Sequence, residues 1–194
     1  DGNSYAPFAK QKVLDDFIVL NAGLEGSPPI TADWSSVSDY LGRYDGRVSV
    51  NVAYIVGNSP LRIGAVGWDD REASNTEMDT MKGLLRESME EGAVGISTGL
   101  DYPPGSYANT TELVRLSAEA ARLGGFYHTH VRYALGDRFL DPYREAVEIG
   151  RQSGIPIHLT HMMPRSVYSG SNWRLIELVE SARDEGMDVT FDNY

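Results

Sequence analysis

Hydrophobic and polar residues follow two alternating rhythms along the chain, one helical and one strand-like, from about residue 74 onward. Apolar residues spaced three or four positions apart predict amphipathic helices, and short runs rich in β-branched and aromatic residues predict strands between them. The predicted helices cover residues 74–91, 109–123, 141–152 and 172–185, and the predicted strands cover residues 93–98, 126–131, 155–161 and 187–192. This alternation is typical of consecutive βα units in a parallel sheet.

Helix boundaries in this region carry recognisable signals. Ser74 and Glu77 form a capping-box pattern at the start of the first helix, and Asn109 with Glu112 repeats the pattern at the second. Upstream of the series, the alternating run 48–56 predicts one more strand, and residues 37–44 predict a short helix.

The predicted strands end near Gly99, His130, His161 and Asp192, about 31 residues apart. This spacing fits one strand, one helix and two short connections, and it favours a barrel or a doubly wound sheet. Barrels carry their active sites at the C-terminal ends of the strands, where these segments place polar residues. Since an eight-stranded barrel usually needs about 250 residues, we predict an α/β fold: residues 1–194 form a single domain, a partial TIM-type (β/α)8 barrel with strands missing at both ends, excerpted from a longer enzyme.

Composition narrows the classes of partner. A net charge of -11 disfavours binding to nucleic acid or to an anionic membrane surface. The chain has no cysteine, so a disulfide framework and a thiolate metal site are both excluded. No apolar run reaches the roughly 18 residues that span a bilayer, and no signal segment is recognisable at the N-terminus. A cytoplasmic location is expected.

The candidate chemistry lies in two Thr-His pairs one repeat apart. His130 and His161 each occupy the predicted last position of a strand, and adjacent parallel strands are about 4.8 Å apart. Two imidazoles placed side by side can share one metal ion through bonds of about 2.0 to 2.1 Å. The alternative is that both are ordinary polar residues at strand ends. His128 is interpreted as a supporting residue on the same face, and His158 as a structural residue tucked under a helix.

Several ordered motifs resemble one enzyme family. The run Glu-Gly-Ala-Val-Gly-Ile-Ser-Thr-Gly-Leu-Asp-Tyr-Pro-Pro at residues 91–104 is similar to the signature strand and loop of the N-acyl-D-amino-acid deacylases, or D-aminoacylases, of the amidohydrolase superfamily. Residues 126–132 resemble that family's strand ending in Thr-His-Met-Arg, and residues 155–161 resemble its strand ending in Ser-His. Residues 56–62 resemble its Val-Gly-His-(Ser/Gly)-Thr-Leu-Arg segment, and residues 188–194 resemble its strand ending in Leu-Asp-Ala-Tyr. The resemblance spans nearly the whole chain.

The resemblance implies a metal site. Residues 1–7 resemble the family's Cys-Gly-(Ile/Val)-Ser-Leu-Ala-Pro, in which the Cys is a zinc ligand, and Asp1 falls on that Cys. A carboxylate can replace a thiolate as an anionic zinc ligand. The implied metal ligands are Asp1, His130 and His161, with zinc as the cofactor; the alternative is that Asp1 is only a strand-end carboxylate.

The implied activity is zinc-dependent hydrolysis of C–N bonds, with metal-assisted attack of water on the amide carbonyl of an N-acyl-D-amino acid. Tyr102 and Arg132 are the implied substrate-binding residues, although Tyr102 could be a packing aromatic and Arg132 could pair with an acidic neighbour. The family's His-x-His pair and its catalytic Asp are expected outside this chain, so no catalytic base is assigned here.

Two departures bear on the substrate. Tyr133-Ala134 stands where the family has Asp-Glu, and Met163 stands where it has a substrate-holding Lys. A cyclic amide hydrolase of the same superfamily, of the hydantoinase or dihydroorotase kind, a barrel that has lost its catalytic activity, and a metal-free parallel-sheet protein therefore stay open as alternatives.

Overall fold

The computed structural model of the protein describes residues 1–26, 29–134, 136–164 and 170–193. Tyr194, the last residue of the segment that resembles Leu-Asp-Ala-Tyr, lies outside these ranges. Within them, five strands form one parallel sheet in sequence order: β1 (Tyr54–Gly57), β2 (Ala93–Gly99), β3 (Phe126–His130), β4 (Ile157–Leu159) and β5 (Val189–Phe191).

Helices connect and cover these strands. They are α1 (Gln11–Glu25), α2 (Val37–Leu41), α3 (Asn58–Ala65), α4 (Asn75–Glu90), α5 (Thr110–Arg122), α6 (Asp141–Ser153) and α7 (Ser171–Asp184). The α/β class with a parallel sheet is confirmed, and its sequential strand order is consistent with part of a barrel.

The βα rhythm predicted from the sequence is confirmed from residue 74 onward, including its caps. The Ser74 side chain accepts a hydrogen bond from the Glu77 backbone while the Glu77 side chain accepts one from the Ser74 backbone, which is a complete capping box. At α5 the Asn109 side chain accepts a bond from the Glu112 backbone N–H. Local hydrogen bonding alone therefore fixes where these two helices begin.

Upstream of residue 74 the predictions are only partly right. The strand predicted at 48–56 begins at Tyr54, because Val48, Val50 and Val52 are exposed and have no sheet partner. Two helices, α1 and α3, were not predicted. Helix α3 is eight residues long, shorter than the window over which a helical periodicity can be recognised, and its residues 58–63 are all buried, polar ones included.

The core lies between the sheet and its helices. Side chains from β2, β3 and β4 pack against apolar residues of α4, α5 and α6; fully buried members include Ile96, Tyr127, Leu159, Met81, Leu85, Leu113, Leu116 and Ile149. This packing fixes the register of the strands, so that their C-terminal ends meet along one edge. We call this the C-terminal edge of the sheet.

Within the described ranges, no helix combines the length and the apolar character that a bilayer span requires. The cytoplasmic location stays a prediction.

Candidate metal-binding site

Asp1 reaches the C-terminal edge because the first residues of the chain lie across the ends of β1 and β2. The backbone N–H of Gly2 donates to Ser97 Oγ at 3.1 Å, and its carbonyl accepts from the Ser59 N–H at 3.0 Å. A Cβ on Gly57 would lie 2.2 Å from the Gly2 carbonyl oxygen, and one on Gly99 would lie 2.2 Å from that of Asp1. Only glycine at these two positions permits the backbone of residues 1 and 2 to approach so closely. This approach holds Asp1 beside the ends of β1 and β2.

His130 is the last residue of β3, as predicted, and its side chain is nearly buried. Its Nε2 lies 2.9 Å from Oδ2 of Asp101, a residue in the loop after β2. The carboxylate of Asp101 holds the orientation of this imidazole, a common arrangement around metal-binding histidines.

His161 does not end β4, contrary to the prediction. The strand ends at Leu159, and His161 lies in the following turn with a left-handed backbone, φ 52°. This turn brings the side chain back to the inside, where Nε2 lies 2.9 Å from Oδ2 of Asp1. The rings of His130 and His161 meet edge to face with centroids 5.3 Å apart.

The structure thus brings together the three residues predicted as metal ligands. Asp1, His130 and His161 each offer a ligand atom, and these three atoms lie within 4.8 Å of one another. Two imidazoles and one carboxylate form a donor set that Zn²⁺ accepts. Because side chains from three separate segments converge on one point, the donor set fits a single metal ion.

His128 and His158 form a second pair beside the first. They are register partners on β3 and β4, and their rings stack at 5.2 Å with an interplanar angle of 11°. His128 lies within ion-pair distance of Asp1, its Nδ1 3.4 Å from Oδ1, consistent with the supporting role predicted for it. Burial lowers the pKa of His128 to about 4, so this ring is neutral at pH 7.

The interpretation of His158 as a residue tucked under a helix is wrong. Its Nδ1 lies 2.8 Å from Thr190 Oγ1 and its Nε2 lies 3.1 Å from Asp192 Oδ2. The ring therefore lies between His128 and the end of β5 and not under a helix. The prediction assumed that period-2 alternation continues to His161. It does not, because the turn after Leu159 reorients His161.

Asp192 was not among the predicted site residues. Burial alone would raise the pKa of Asp192, but hydrogen bonds donated by the His161 backbone N–H and the Thr160 hydroxyl, together with His158, lower it to about 2. Its carboxylate is therefore ionised at neutral pH, and it contacts both the ring of His158 and the backbone N–H of His161. The spacing of 31 residues between His130 and His161 also separates His161 from Asp192, and this repeat is the signal that could have found it.

Tyr102 and Arg132 occupy different surroundings. Tyr102 is partly exposed and its ring lies 5.2 Å from that of His130, at the mouth of the site. Arg132 binds within the protein: its Nε donates to Glu145 Oε2 at 2.8 Å, and its two other nitrogens donate to the carbonyls of Ser106 and Ala108. The pairing with an acidic neighbour is observed, while the substrate-binding roles of both residues stay predictions.

Comparison with curated proteins identifies relatives along most of the chain. It is 34% identical over 175 residues to an N-acyl-D-glutamate deacylase of Alcaligenes xylosoxydans xylosoxydans, an alignment that covers 88% of this chain and 35% of the relative. It is 34% identical over 148 residues to a D-aminoacylase of the same organism, with 75% and 30% covered. The chain thus spans about a third of the length of these curated relatives. No protein-family model matches it.

Solved structures give the same picture. A D-aminoacylase structure described in terms of a binuclear metal centre superposes with a TM-score of 0.83 at 28% identity, covering all of this chain and 40% of that one. The N-acyl-D-glutamate deacylase of Bordetella bronchiseptica, in complex with zinc and a phosphonate mimic of the tetrahedral intermediate, superposes with a TM-score of 0.74 at 32% identity, covering 83% and 34%.

The resemblance predicted from the motifs is therefore confirmed by independent alignment of sequence and of fold: the chain is related to the N-acyl-D-amino-acid deacylases over about a third of their length.

Proposed function

We propose that this chain forms the central, metal-binding part of a (β/α)8-barrel hydrolase that cleaves the amide bond of N-acyl-D-amino acids. The observation that carries the proposal is the convergence of Asp1, His130 and His161 at the C-terminal edge of the sheet. The relatives named N-acyl-D-glutamate deacylase and D-aminoacylase support the substrate class, and the zinc complex of the Bordetella bronchiseptica deacylase supports the cofactor.

In this proposal the two histidines and Asp1 hold one zinc ion. Bound there, zinc supplies Lewis-acid polarisation of the amide carbonyl and makes water a stronger nucleophile at neutral pH. Asp1 contributes the negative charge of the set, which partly neutralises the ion. No residue of this chain is proposed as the general base.

The neighbouring side chains orient this set and shape its mouth. Asp101 fixes the His130 ring through Nε2, and Asp192 fixes the His161 backbone by accepting its N–H at 2.7 Å. Tyr102 stands against the His130 ring, where its hydroxyl can meet a substrate. Arg132 supports the loop that carries Ser106 and Ala108.

Met163 bears on how this protein holds the carboxylate of its substrate. The family segment that this chain resembles has a Lys at this position, and a thioether cannot replace an ammonium group opposite a carboxylate. We therefore propose that the carboxylate of the substrate is held less strongly here, or by other groups, than in relatives that have the Lys.

The decisive experiment is a substrate panel with the full-length protein. N-acetyl-D-amino acids with acidic, apolar and polar side chains are compared with their L isomers and with hydantoins, and metal content is measured on the same preparation. Hydrolysis of D substrates by protein that contains zinc is expected. Ring opening of hydantoins without any D-selective deacylation would assign the cyclic amide hydrolase activity instead.

Asp1 offers a sharper test of the metal set. Asp1→Cys restores an anionic ligand of the kind the family uses and should keep zinc and activity, whereas Asp1→Ala should lose both. Asp16→Asn, an exposed carboxylate on α1, is the matched control and should change neither. Equal zinc content in the Asp1→Ala variant and the control would contradict the proposed ligand set.

A further inference from the structure

We propose that His128, His158 and Asp192 form a second site, for a divalent transition-metal ion such as Zn²⁺, next to the set formed by Asp1, His130 and His161. Each of the three residues offers a ligand atom, and these atoms lie within 4.8 Å of one another. Imidazole nitrogen and carboxylate oxygen together favour Zn²⁺ and similar ions over Ca²⁺ or Mg²⁺. The inference does not depend on the proposed amide hydrolysis.

The sheet itself builds this arrangement. His128 and His158 are paired positions on β3 and β4, and His158 is in turn paired with Thr190 on β5. Asp192 follows β5 directly, so its carboxylate lies at the same edge. His158 Nε2 and Asp192 Oδ2 are 3.1 Å apart, close to the separation of about 3.3 Å between two ligands on a tetrahedral ion with bonds of about 2.0 Å.

The hydrogen bonds around His158 suit a metal ligand. The Thr190 hydroxyl can donate to the Ile157 carbonyl at 3.4 Å, and its oxygen then accepts the proton on His158 Nδ1 at 2.8 Å. In this tautomer Nε2 is unprotonated and lies 3.1 Å from Asp192 Oδ2, and a cation bound by both atoms would remove the repulsion between their lone pairs. A ligating histidine usually donates its other N–H to a neighbouring oxygen in this way.

His128 supplies an independent observation. Its Nδ1 is buried and forms no hydrogen bond with the described residues, and its contact with Asp1 Oδ1, at 3.4 Å, is within ion-pair distance only. Buried polar atoms are nearly always paired, and an orphaned one calls for an ion or a water.

Asp1 places negative charge near both groups of ligands. Its Oδ2 lies 2.9 Å from His161 Nε2, and its Oδ1 lies 3.4 Å from His128 Nδ1. One carboxylate therefore faces the two groups with one oxygen each, and it reduces the repulsion that two neighbouring cations would otherwise feel.

The test is a zinc titration of the metal-free full-length protein, with bound zinc counted by mass spectrometry after gel filtration. His158→Gln and Asp192→Asn should each bind one equivalent fewer than the unmodified protein. The double variant H130N/H161N should lose the other equivalent and keep this one. Asp188→Asn, an exposed carboxylate just before β5, is the matched control and should bind as the unmodified protein does.

Thr190→Val removes only the oxygen that orients His158, so the affinity of this second equivalent should fall by about 10- to 100-fold. Equal zinc content in H158Q, D192N and the control would overturn the proposal.

Crystals of the unmodified protein give a readout that does not depend on the folding of any variant. After equilibration with zinc, anomalous scattering at the zinc edge should show a peak bounded by His128, His158 and Asp192. Absence of that peak when the neighbouring site is filled would overturn the second site alone. A protein that fills both sites but hydrolyses no D substrate would instead overturn the proposed function and leave the second site standing.

Discussion

Two regions of the molecule bring ionisable side chains together, and they do so in opposite ways. Between α3 and α5, Arg62 Nη1 donates to Glu112 Oε2 at 2.6 Å, with the two side chains 0% and 4% exposed. A second nitrogen of Arg62 donates to the Arg71 carbonyl at 2.8 Å. This pair has matched charges and is closed to solvent.

The C-terminal edge of the sheet is built differently. Four imidazoles and the carboxylates of Asp1, Asp101 and Asp192 meet there, and several remain open to solvent. Imidazole nitrogens beside carboxylates form a donor set for a cation, whereas the charges of Arg62 and Glu112 are paired with each other. Arg62 and Glu112 therefore stabilise the fold, whereas the residues at the C-terminal edge are arranged to bind a cation.

The largest effect on stability is expected at the buried pair. Glu112→Gln leaves the Arg62 guanidinium buried without a counter-charge, so the free energy of unfolding should fall by about 3 to 5 kcal/mol. Urea denaturation followed by circular dichroism measures this change. The double variant R62M/E112L, which replaces both charges by apolar groups, should recover most of the loss. A failure to recover it would show that these side chains stabilise the fold through other contacts, such as the hydrogen bond from Arg62 to the Arg71 carbonyl.

The next effect should appear in binding rather than in folding. Asp101→Asn weakens the partner that orients His130, so zinc affinity should fall by about 10- to 100-fold while the unfolding midpoint of the metal-free protein stays unchanged. Competition with a chromophoric chelator measures the affinity. An unchanged affinity would show that His130 is oriented without Asp101.

A smaller effect is expected at the N-terminal cap of α4. Ser74→Ala removes the side chain that accepts the Glu77 N–H at the start of α4, and stability should fall by about 1 kcal/mol. Zinc content should not change. A loss of zinc in this variant would mean that the C-terminal edge is coupled to α4 and that the two regions are not independent.

The smallest effect concerns pH. A hydrogen bond from Arg71 lowers the pKa of Glu77 below its ordinary value of 4.5, so its contribution to stability is complete above about pH 4.5 and is lost as pH falls below that value. Thermal melts at pH 7 and pH 3 should therefore differ less in Glu77→Gln than in the unmodified protein. Equal differences in both proteins would place the acid sensitivity elsewhere.

The sequence by itself determined the repeating part of the molecule. From residue 74 onward, apolar periodicity and two capping patterns predicted four helices and four strands, because each of these signals acts within a few residues. The strand predicted at 155–161 is observed as Ile157–Leu159, two residues shorter at each end. The same repeat singled out His130, which ends β3, and His161, which follows the end of β4 by two residues.

Only the tertiary structure decided the features that depend on distant segments. The helix α3 is too short for a helical periodicity to be recognised, and its buried Asn58 and Arg62 find their partners in distant segments, at Gly105 and Glu112. The position of Asp1 depends on Gly57 and Gly99, which lie more than 50 residues away in the sequence and leave room for the backbone of residues 1 and 2. The left-handed turn at His161 breaks the alternation from which side-chain direction was predicted, and the register between β3 and β4 puts His158 beside His128. Local patterns fix the elements of this protein, whereas the meeting of its ligands is a property of packing between them.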